Sequence, residues 1–320
     1  MSDRPERDPR IAICVCTHGR ADGLSALLRA LRDTDLGGYN PHLVELVVVD
    51  NSPNPDTRAL CEREAPLLPL GLHYTEEPQP GITSARNRAV VVALARGADF
   101  VAFIDDDDRP RNDWLIHLLN RQAETGADLV FGTWVLGDSM PQWARDREMF
   151  RSPNKDKRRG KDRRYGLPDS ASTCNALATR QILERVTAEG PVFSDTFRHS
   201  GAEDKDFFLR ARALGASFAS AENSVILRNH DPNRFTIRGI LRRGFKNGCS
   251  RANLARSHGD TMRRLSLFGS SLAKLLLSLV VLPFCIGSRG RFNHTLYKLG
   301  KSSGVRYASV TGRSIHYYSE

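Results

Sequence analysis

The stretch Phe100-Val101-Ala102-Phe103-Ile104-Asp105-Asp106-Asp107-Asp108-Arg109-Pro110 joins an apolar run directly to a run of acids. The aromatic and β-branched residues of the apolar part predict a buried strand. Adjacent carboxylates repel one another and cannot all be buried without positive partners. In open α/β sheets, ligands bind at the carboxyl ends of the strands, which is where this strand delivers its acids. The stretch therefore predicts an α/β sheet with a positively charged group at its edge.

A hard divalent cation such as Mg2+ is one candidate for that group, because it takes carboxylate oxygens and usually keeps substrate phosphates among its ligands. Asp105 and Asp107 are two residues apart and share a side of an extended backbone, so both can reach one ion. The alternative is a solvated acidic turn before a helix, with Asp108 as the N-cap ahead of Pro110. The acidic residues alone leave both interpretations open.

The composition is that of an ordinary globular protein. The 320 residues, 40% hydrophobic and 26% charged, suffice for one large α/β domain with an appendage or for two domains. The spacing of the six cysteines fits neither a zinc site nor a compact disulfide framework. Residues 1–10 are charged and lack the apolar run of a signal peptide. We therefore expect a protein of the reducing cytosol.

The net charge of +10 is concentrated in the last third of the chain. Residues 229–320 hold 16 Lys and Arg against three acidic residues, which leaves residues 1–228 at about −3. Such a segment attracts phosphates, either of nucleic acid or of anionic lipid.

The same region contains an apolar stretch at residues 265–287. Its continuous run, 275–286, is twelve residues long and contains Pro283, so it is shorter than the roughly 20 residues that span a bilayer. Basic residues flank the run on both sides, and they favour a helix lying in the membrane interface, or a shallow hairpin, over a buried core helix.

Strand-like and helical patterns alternate through the first half, and this order predicts a mostly parallel, doubly wound sheet. Strands are predicted at residues 11–16, 43–49, 72–74, 100–104 and 128–134, and helices near residues 24–31, 57–64, 81–94 and 114–124. The first strand ends at Thr17 and Arg20 and the second at Asp50, and Arg86 lies at a helix start. With the acidic stretch, these polar strand ends predict a nucleotide crevice. The glycine motifs of dinucleotide dehydrogenases and P-loop proteins are absent.

The chain between this half and the basic region contains a second pair of acids. Residues 145–164 are strongly basic and predict a surface loop, and residues 172–178 and 180–186 predict a strand and a helix. Glu203 and Asp204 then open a helix that Gly215 closes. The first turn of a helix favours negative charge, so the two acids are either ordinary helix-start residues or a general base held near a metal-diphosphate site.

Taken together, these motifs resemble glycosyltransferase family 2, the inverting transferases of the GT-A fold, over residues 11–250. Within that family the chain is most similar to enzymes that build succinoglycan-type exopolysaccharides. The resemblance rests on Cys16-Thr17-His18-Gly19-Arg20, Val48-Val49-Asp50-Asn51-Ser52, the Gly-x-x-x-Ala-Arg-Asn segment at 81–87, the Asp-x-Asp at 105–107 and the Glu-Asp motif at 203–204. Asn51-Ser52-Pro53 replaces the usual Gly-Ser pair, and Asp106 replaces a small residue, so the choice of ligands among the four acids stays open.

The resemblance implies a role for each motif residue. Thr17, Arg20, Asp50, Arg86, Asp105 and Asp106 would bind the nucleotide donor. Asp107 and Asp105 would ligate Mg2+ or Mn2+, and His230 would be a further ligand, with an ordinary loop histidine as the alternative. Asp204 would deprotonate the acceptor hydroxyl, and Glu203 would help to place the acceptor.

The implied activity is the inverting transfer of a single sugar from a nucleotide-diphosphate sugar, in this family usually a UDP-sugar, to a lipid-linked or polysaccharide acceptor. The Gln-x-x-Arg-Trp signature of processive synthases is absent, since no Trp follows Trp143. We expect a GT-A catalytic domain over residues 1–228, with a nucleotide half at 11–135 and an acceptor half at 136–228. Residues 229–320 would form a basic, helical, membrane-associating region on the cytoplasmic side of the inner membrane.

Two other functions compete with this interpretation. One is a nucleotide-sugar-binding module without turnover. The other is a nucleic-acid-binding protein that uses the basic region. That region has few aromatics interleaved with its arginines and no recognisable recognition module, so we expect an anionic membrane surface as the partner and no nucleic acid.

Overall fold

The computed structural model describes residues 8–137, 140–145, 167–168, 171–198, 201–228, 232–259 and 261–313. The chain divides into two compact units. The first comprises Met1–Val135, Ser152–Asp195 and Phe207–Arg228, and the second comprises Leu136–Arg151, Thr196–Asp206 and Asn229–Glu320. Two predicted features lie outside the described residues, namely His230 and the basic segment 145–164 apart from Arg145.

The described strands form one eight-stranded sheet. They are β1 (Ile11–Thr17), β2 (Val44–Asp50), β3 (Gly71–Glu76), β4 (Phe100–Ile104), β5 (Asp108–Pro110), β6 (Leu129–Leu136), β7 (Asn175–Thr179) and β8 (Phe218–Arg228). Their order across the sheet is β3-β2-β1-β4-β7-β6-β8-β5. The five strands predicted from apolar runs are confirmed as β1 to β4 and β6, with ends that differ by at most two residues.

The sheet is parallel in one half and antiparallel in the other. β1 pairs in parallel with β2 and β4, and β2 pairs in parallel with β3. Beyond β4, β7 is antiparallel to both β4 and β6, and β5 is antiparallel to β8. The sheet is therefore mixed, and the predicted parallel arrangement holds through β4. The direction of a strand depends on the connection that leads into it, and an apolar pattern carries no such information.

The described residues form ten α-helices. They are α1 (Ala21–Leu31), α2 (Pro55–Glu64), α3 (Ile82–Ala95), α4 (Trp114–Thr125), α5 (Gln142–Arg145), α6 (Arg180–Ala188), α7 (Glu203–Ala213), α8 (Ile237–His258), α9 (Thr261–Val281) and α10 (Arg289–Thr311). The helices predicted from apolar periodicity are confirmed as α1 to α4, α6 and α7.

The first unit has a hydrophobic core on each face of the sheet, as a doubly wound arrangement requires. Ile11, Ile13 and Val15 of β1 pack with the buried leucines of α1 and with α4. The alternate residues, Ala12 and Cys14, pack with α3, α6 and the phenylalanines of α7. Successive side chains of a strand point to opposite faces, so an almost wholly apolar strand such as β1 is buried on both sides.

A buried side-chain amide links the antiparallel strands. Nδ2 of Asn175 donates to the carbonyl oxygens of Thr133 and Ser224, at 3.0 Å each. The Ser224 hydroxyl in turn donates to Oδ1 of Asn175 at 3.2 Å. A Cβ added at Gly132 would overlap this amide, so β6 requires glycine there. Asn175 thus satisfies backbone groups where β6, β7 and β8 meet, because a buried carbonyl needs a donor.

The second unit is built around two long helices in close backbone contact. Gly244 and Gly248 of α8 face Gly300 and Gly304 of α10, and a Cβ added at any of them would meet backbone atoms of the other helix. Small residues at spacing i, i+4 on both helices let their axes approach closely. This Gly-x-x-x-Gly pairing was not predicted.

Helix α9 is longer than the apolar run that predicted it. It has 21 residues, about 31 Å at 1.5 Å per residue. Among the described residues it is the one helix long and apolar enough to cross a membrane by length and composition. The hydroxyls of Ser271 and Ser278 donate to carbonyl oxygens of their own helix, which lets serines continue an apolar helix. Pro283 lies just beyond its end.

Candidate active site

The acidic turn, residues 105–108, follows β4 directly. The Asp108 amide donates to the Asp105 carbonyl at 3.2 Å, and Asp108 begins β5. The turn separates the four carboxylates into two kinds. The side chains of Asp105 and Asp107 are 33% and 34% exposed, whereas those of Asp106 and Asp108 are 5% and 0% exposed. The alternative that made Asp108 a helix N-cap is wrong, because Asp108 is buried in a strand and Asp113 precedes α4.

The turn has the donor set of a site for a hard cation. Oxygens of Asp105, Asp107 and Asp108 all lie within 4.8 Å of one another, and carboxylate oxygens are the ligands that Mg2+ and Mn2+ prefer. The partly exposed pair, Asp105 and Asp107, is more accessible to such an ion than Asp108, whose side chain is fully buried.

Two arginines from distant elements flank the buried side of the turn. Arg228, at the end of β8, binds both oxygens of Asp108, with Nε to Oδ1 at 3.0 Å and Nη2 to Oδ2 at 2.8 Å. Its Nη2 also lies 3.3 Å from Oδ2 of Asp105. Arg86 of α3 donates to the other oxygen of Asp105 at 3.1 Å, and its guanidinium lies 5.7 Å from the centre of the Phe193 ring.

Burial and these arginines act on the pKa values in opposite directions. Burial would raise the pKa of Asp105, but Arg86 and Arg228 outweigh it, so that pKa lies below its ordinary value. Burial raises the pKa of Asp108, and its pair with Arg228 opposes the rise. Burial would lower the pKa of the Arg228 guanidinium, but Cys174, Asp108 and Asp105 together hold that pKa well above its ordinary value.

Asp106 is bound by residues at and after the end of β1. Its Oδ2 accepts a hydrogen bond from the Thr17 hydroxyl at 2.9 Å, and its Oδ1 accepts one from Arg20 at 3.2 Å. Burial raises the pKa of Asp106 to about 6, and Arg20 opposes the rise. Arg20 also lies 3.6 Å from Asp107. The end of β1 is thereby tied to the acidic turn.

Asp50 lies beside Thr17, its register partner in the β1–β2 pair. Its buried carboxylate accepts hydrogen bonds from the amides of Ser52 and Asn54 and from the Tyr74 hydroxyl, at 3.0, 3.2 and 3.1 Å. In the structure Asp50 therefore organises the loop after β2.

Asn51 connects that loop to the start of α3. Its Nδ2 donates to the carbonyls of Glu77 and Gln79, and its Oδ1 accepts from the Gly81 amide at 2.8 Å. Gly81 has a φ of 129°, which favours glycine. The contact between Asn51 and Gly81 therefore fixes the start of α3, the helix that carries Arg86.

Glu203 and Asp204 belong to the second unit and form the first turn of α7. They follow a tight turn in which Gly201 and Ala202 both have positive φ, 69° and 77°. Oδ1 of Asp206 lies 2.7 Å from Nε2 of His258 at the end of α8. Asp204 is half-buried, and Glu203 is buried.

The basic side of this segment comes from α8. Burial lowers the pKa of the Lys246 ammonium to about 7, Arg242 and Arg234 add to the lowering, and Glu203 opposes it. The Ser250 hydroxyl lies next to Gly201, 3.4 Å from the position of a Cβ there. The carboxylates of the Glu-Asp motif thus open a helix beside basic residues of the same unit.

Of the predicted site residues, the structure brings together Thr17, Arg20, Arg86, Asp105, Asp106 and Asp107 around the acidic turn. Asp50 lies next to Thr17, but its carboxylate is engaged within its own loop. Arg228 was missed, although it ends a strand-like segment just before the predicted ligand His230. Its place at the end of that strand-like segment was the one local signal, and nothing in the sequence indicated that it would meet an acid 120 residues away.

A separate cleft of about 680 Å³ lies at the amino-terminal ends of β1 and β2, lined by residues such as Arg10, His42 and Arg96. Because the acidic turn follows the carboxyl end of β4, the cleft lies at the opposite edge of the sheet.

Relatives of this chain are glycosyltransferases or proteins of polysaccharide synthesis. Succinoglycan biosynthesis protein ExoM of Rhizobium meliloti (strain 1021) is 29% identical over 308 residues, which cover 94% of this chain and 93% of ExoM. The pre-mycofactocin glycosyltransferase of Mycobacterium tuberculosis (strain ATCC 25618 / H37Rv) is 27% identical over 325 residues, which cover 98% of this chain and 59% of that protein.

Solved structures share the fold at low sequence identity. The mannosyltransferase PcManGT from Pyrobaculum calidifontis, in complex with GDP-Man and Mn2+, has a TM-score of 0.61 at 16% identity. The match covers 97% of this chain and 89% of the PcManGT chain. S. aureus TarS 1-349 in complex with UDP has a TM-score of 0.50 at 15% identity, with 97% and 93% coverage. The predicted GT-A fold is confirmed.

The family model for glycosyl transferase family 2 matches residues 12–187, from β1 into α6. This range includes the acidic turn and the loops that contact it. Because the match spans more than half of the chain, this protein belongs to glycosyl transferase family 2 and is a glycosyltransferase.

Proposed function

We propose that this glycosyltransferase moves a single sugar, with inversion, from a UDP-sugar to a lipid-linked or polysaccharide acceptor. One observation carries the proposal: oxygens of Asp105, Asp107 and Asp108 lie within 4.8 Å of one another, beside Arg86 and Arg228. Carboxylates gathered beside arginines at a strand's carboxyl end suit a cation and a diphosphate together.

The donor roles follow from how each side chain is engaged. Asp107, which lies 3.6 Å from Arg20, is the main metal ligand, and Asp105 is the second. Mg2+ or Mn2+ bound there would stabilise the negative charge that develops on the leaving nucleoside diphosphate. Arg20 and Arg86 present guanidinium groups to the same phosphates.

The other donor-binding residues act through the loops they hold. Thr17 and Asp106 join the β1 loop to the acidic turn, and Asp50 shapes the loop that contacts the base. PcManGT was solved with GDP-Man and Mn2+ and TarS with UDP, which supports a nucleotide-sugar donor. A uridine nucleotide is what the family resemblance implies for that donor.

On the acceptor side, Asp204 is the proposed general base and Glu203 helps to place the acceptor. A half-buried carboxylate in the first turn of a helix can accept the proton of a hydroxyl as that hydroxyl attacks the anomeric carbon. Attack opposite to the leaving diphosphate, in a single displacement, inverts the anomeric configuration.

The acceptor class rests on ExoM and on the second unit. ExoM belongs by name to succinoglycan biosynthesis, which supports a growing glycan as acceptor. Helix α9 exposes Leu276, Leu277 and Val280, and Arg263, Arg264, Arg289 and Arg291 lie near its two ends. An exposed apolar face with basic flanks suits an anionic membrane surface. We therefore propose a catalytic domain over 1–228 and a membrane-associating region over 229–320, on the cytoplasmic side of the inner membrane.

The test is nucleoside diphosphate release from a panel of nucleotide sugars, with Mg2+ or Mn2+ and with membrane extract as acceptor. We expect release from a UDP-sugar, and its loss on addition of chelator and in Asp107→Ala. Glu62→Ala, which removes an exposed acid of α2, is the matched control and retains activity. Undiminished release from Asp107→Ala would overturn the metal assignment.

The base assignment has its own test. Asp204→Asn abolishes transfer but keeps metal-dependent donor binding, whereas Glu222→Gln, at an exposed acid of β8, keeps both. A wild-type protein that binds UDP-sugars but releases no UDP with any acceptor would favour the binding module without turnover.

A further inference from the structure

Arg228 makes contacts that none of the donor-binding roles above requires. It is the last residue of β8, its side chain is 18% exposed, and its guanidinium lies 5.5 Å from the centre of the Trp134 ring. Its Nε and Nη2 bind the two oxygens of Asp108 in a parallel pair, while Nη2 also reaches Asp105. The planar guanidinium fork is suited to holding one carboxylate in a fixed orientation.

Asp108, the partner of Arg228 in this pair, could itself ligate a metal ion, but its side chain lies inside the protein, where a substrate phosphate does not reach. Its side chain is fully buried, yet one of its oxygens lies within 4.8 Å of oxygens of Asp105 and Asp107. A divalent ion is drawn to the point where carboxylate charge is densest. An unpaired Asp108 would therefore draw the ion inward, away from the half-exposed edge that a substrate phosphate can reach.

We propose that Arg228 is a positioning residue that withholds Asp108 from the metal and confines the ion to Asp105 and Asp107. The proposal rests on the metal-assisted donor site proposed above. It assigns Arg228 two actions: its fork neutralises Asp108, and its contact with Asp105 fixes one oxygen of a ligand. The number of carboxylates available to the ion is thus determined by a residue 120 positions away from Asp108 in the chain.

This role has a consequence that a merely structural ion pair lacks. Removing Arg228 adds one net negative charge and one free carboxylate to the site, so the metal binds more tightly although the native arrangement is damaged. Removing the charge of Asp108 alone leaves Arg228 facing Asp105, so the metal binds more weakly. Removing both charges returns the net charge of the site, and with it the metal affinity, to about that of the wild type.

The experiment titrates the full-length chain with Mn2+ in the absence of nucleotide and follows free Mn2+ by electron paramagnetic resonance. We expect Arg228→Gln to bind Mn2+ about tenfold more tightly than the wild type and Asp108→Asn about tenfold more weakly. The double variant Arg228→Gln with Asp108→Asn returns to within about twofold of the wild type, and Arg228→Lys, which keeps the charge, stays close to it. In the transfer assay Arg228→Gln has a reduced kcat at saturating Mn2+.

Weaker or unchanged Mn2+ binding in a folded Arg228→Gln would overturn the proposal, as would a wild type that binds no Mn2+. If Arg228→Gln does not fold, the comparison of Asp108→Asn with the double variant decides, because tighter binding by the double variant is expected only if Arg228 opposes the ion. The Mn2+ titration needs no turnover. If the Mn2+ affinities follow the predicted order but the protein transfers no sugar, the proposed function is wrong and this inference still holds.

Discussion

The hydroxyl of Thr17 donates a hydrogen bond of 2.9 Å to Oδ2 of Asp106, which joins the end of β1 to the acidic turn 89 residues later in the chain. Both residues are buried, with 3% of each exposed. The bond therefore satisfies a carboxylate that has little access to water, and it sets the distance between two loops of the donor site.

We predict that Thr17→Val lowers the free energy of unfolding by about 1–3 kcal/mol, since it leaves a buried acceptor one partner short. Thr133→Val is the matched control, because Thr133 is a buried strand threonine whose hydroxyl has no hydrogen-bond partner in the described structure. That change is neutral or stabilising. Urea unfolding of both variants is the measurement, and equal losses would show that the Thr17 hydroxyl has no special role.

Most of the parallel half of the sheet could be predicted from the sequence because its signals are local. β1, β2 and β4 are apolar runs that end abruptly in polar residues, and burial on both faces follows directly from that pattern. The contact of Asp106 with Thr17 also follows once β1 and β4 are neighbours, because parallel strands bring their carboxyl ends to one edge.

The features that could not be predicted depend on distant pairings. Arg228 meets Asp108 only because β8 runs antiparallel to β5 in a register that pairs these two residues, and no local periodicity encodes that register. Asn175 likewise binds carbonyls 42 and 49 residues away. Helix α9 begins 14 residues before the predicted apolar run, because that run stops at Lys274, whereas the helix continues through Lys274, Arg264 and Arg263.

The second prediction concerns Asp50, whose carboxylate accepts from two loop amides and from Tyr74. Tyr74→Phe removes one of three donors, and we expect a loss of about 1 kcal/mol of stability with an unchanged KM for the donor. Asp50→Ala removes the acceptor of all three and costs about 2–4 kcal/mol, with a raised donor KM. Thermal unfolding and donor titration check both, and a Tyr74→Phe variant with a raised KM would place the phenol itself at the donor.

The third prediction concerns the contact between α8 and α10. A Cβ at Gly248 would overlap the carbonyl oxygen of Lys301, and one at Gly304 would overlap that of Phe245. Because backbone cannot move aside cheaply, Gly248→Ala and Gly304→Ala each cost about 2–3 kcal/mol. Gly269→Ala in α9, where nothing lies within 4 Å of an added Cβ, gains up to about 1 kcal/mol. Calorimetry on the three variants is decisive, and a stable Gly304→Ala would refute the close packing.

The fourth prediction tests the membrane surface proposed for α9. Leu276, Leu277 and Val280 are exposed on it, and their replacement by serine removes apolar area worth a few kcal/mol at an interface. The wild type floats with vesicles that contain anionic lipid, and the triple variant floats several-fold less. A Leu67→Ser/Val91→Ser variant, which changes exposed apolar residues of the first unit, floats like the wild type. Equal flotation of all three proteins would argue against α9 as the contact.

The last prediction concerns the turn before the proposed base. Ala202 is the one non-glycine residue of the described chain with a positive φ, 77°, and its carbonyl accepts the Asp206 amide at 2.9 Å as α7 begins. A side chain in this conformation costs about 1–2 kcal/mol, and glycine avoids that cost but has more entropy to lose on folding.

We therefore expect Ala202→Gly to be neutral or stabilising by up to about 1 kcal/mol and to keep its transfer activity, since Glu203 and Asp204 stay where the turn places them. Ala202→Val is expected to lose stability and activity together, because a β-branched residue fits this region poorly. Gly201→Ala, at a φ of 69°, is the companion variant and is destabilised by about 1 kcal/mol. Thermal unfolding and initial rates are measured on all three. An Ala202→Val variant as active and stable as the wild type would mean that this conformation is not what orients the Glu-Asp motif.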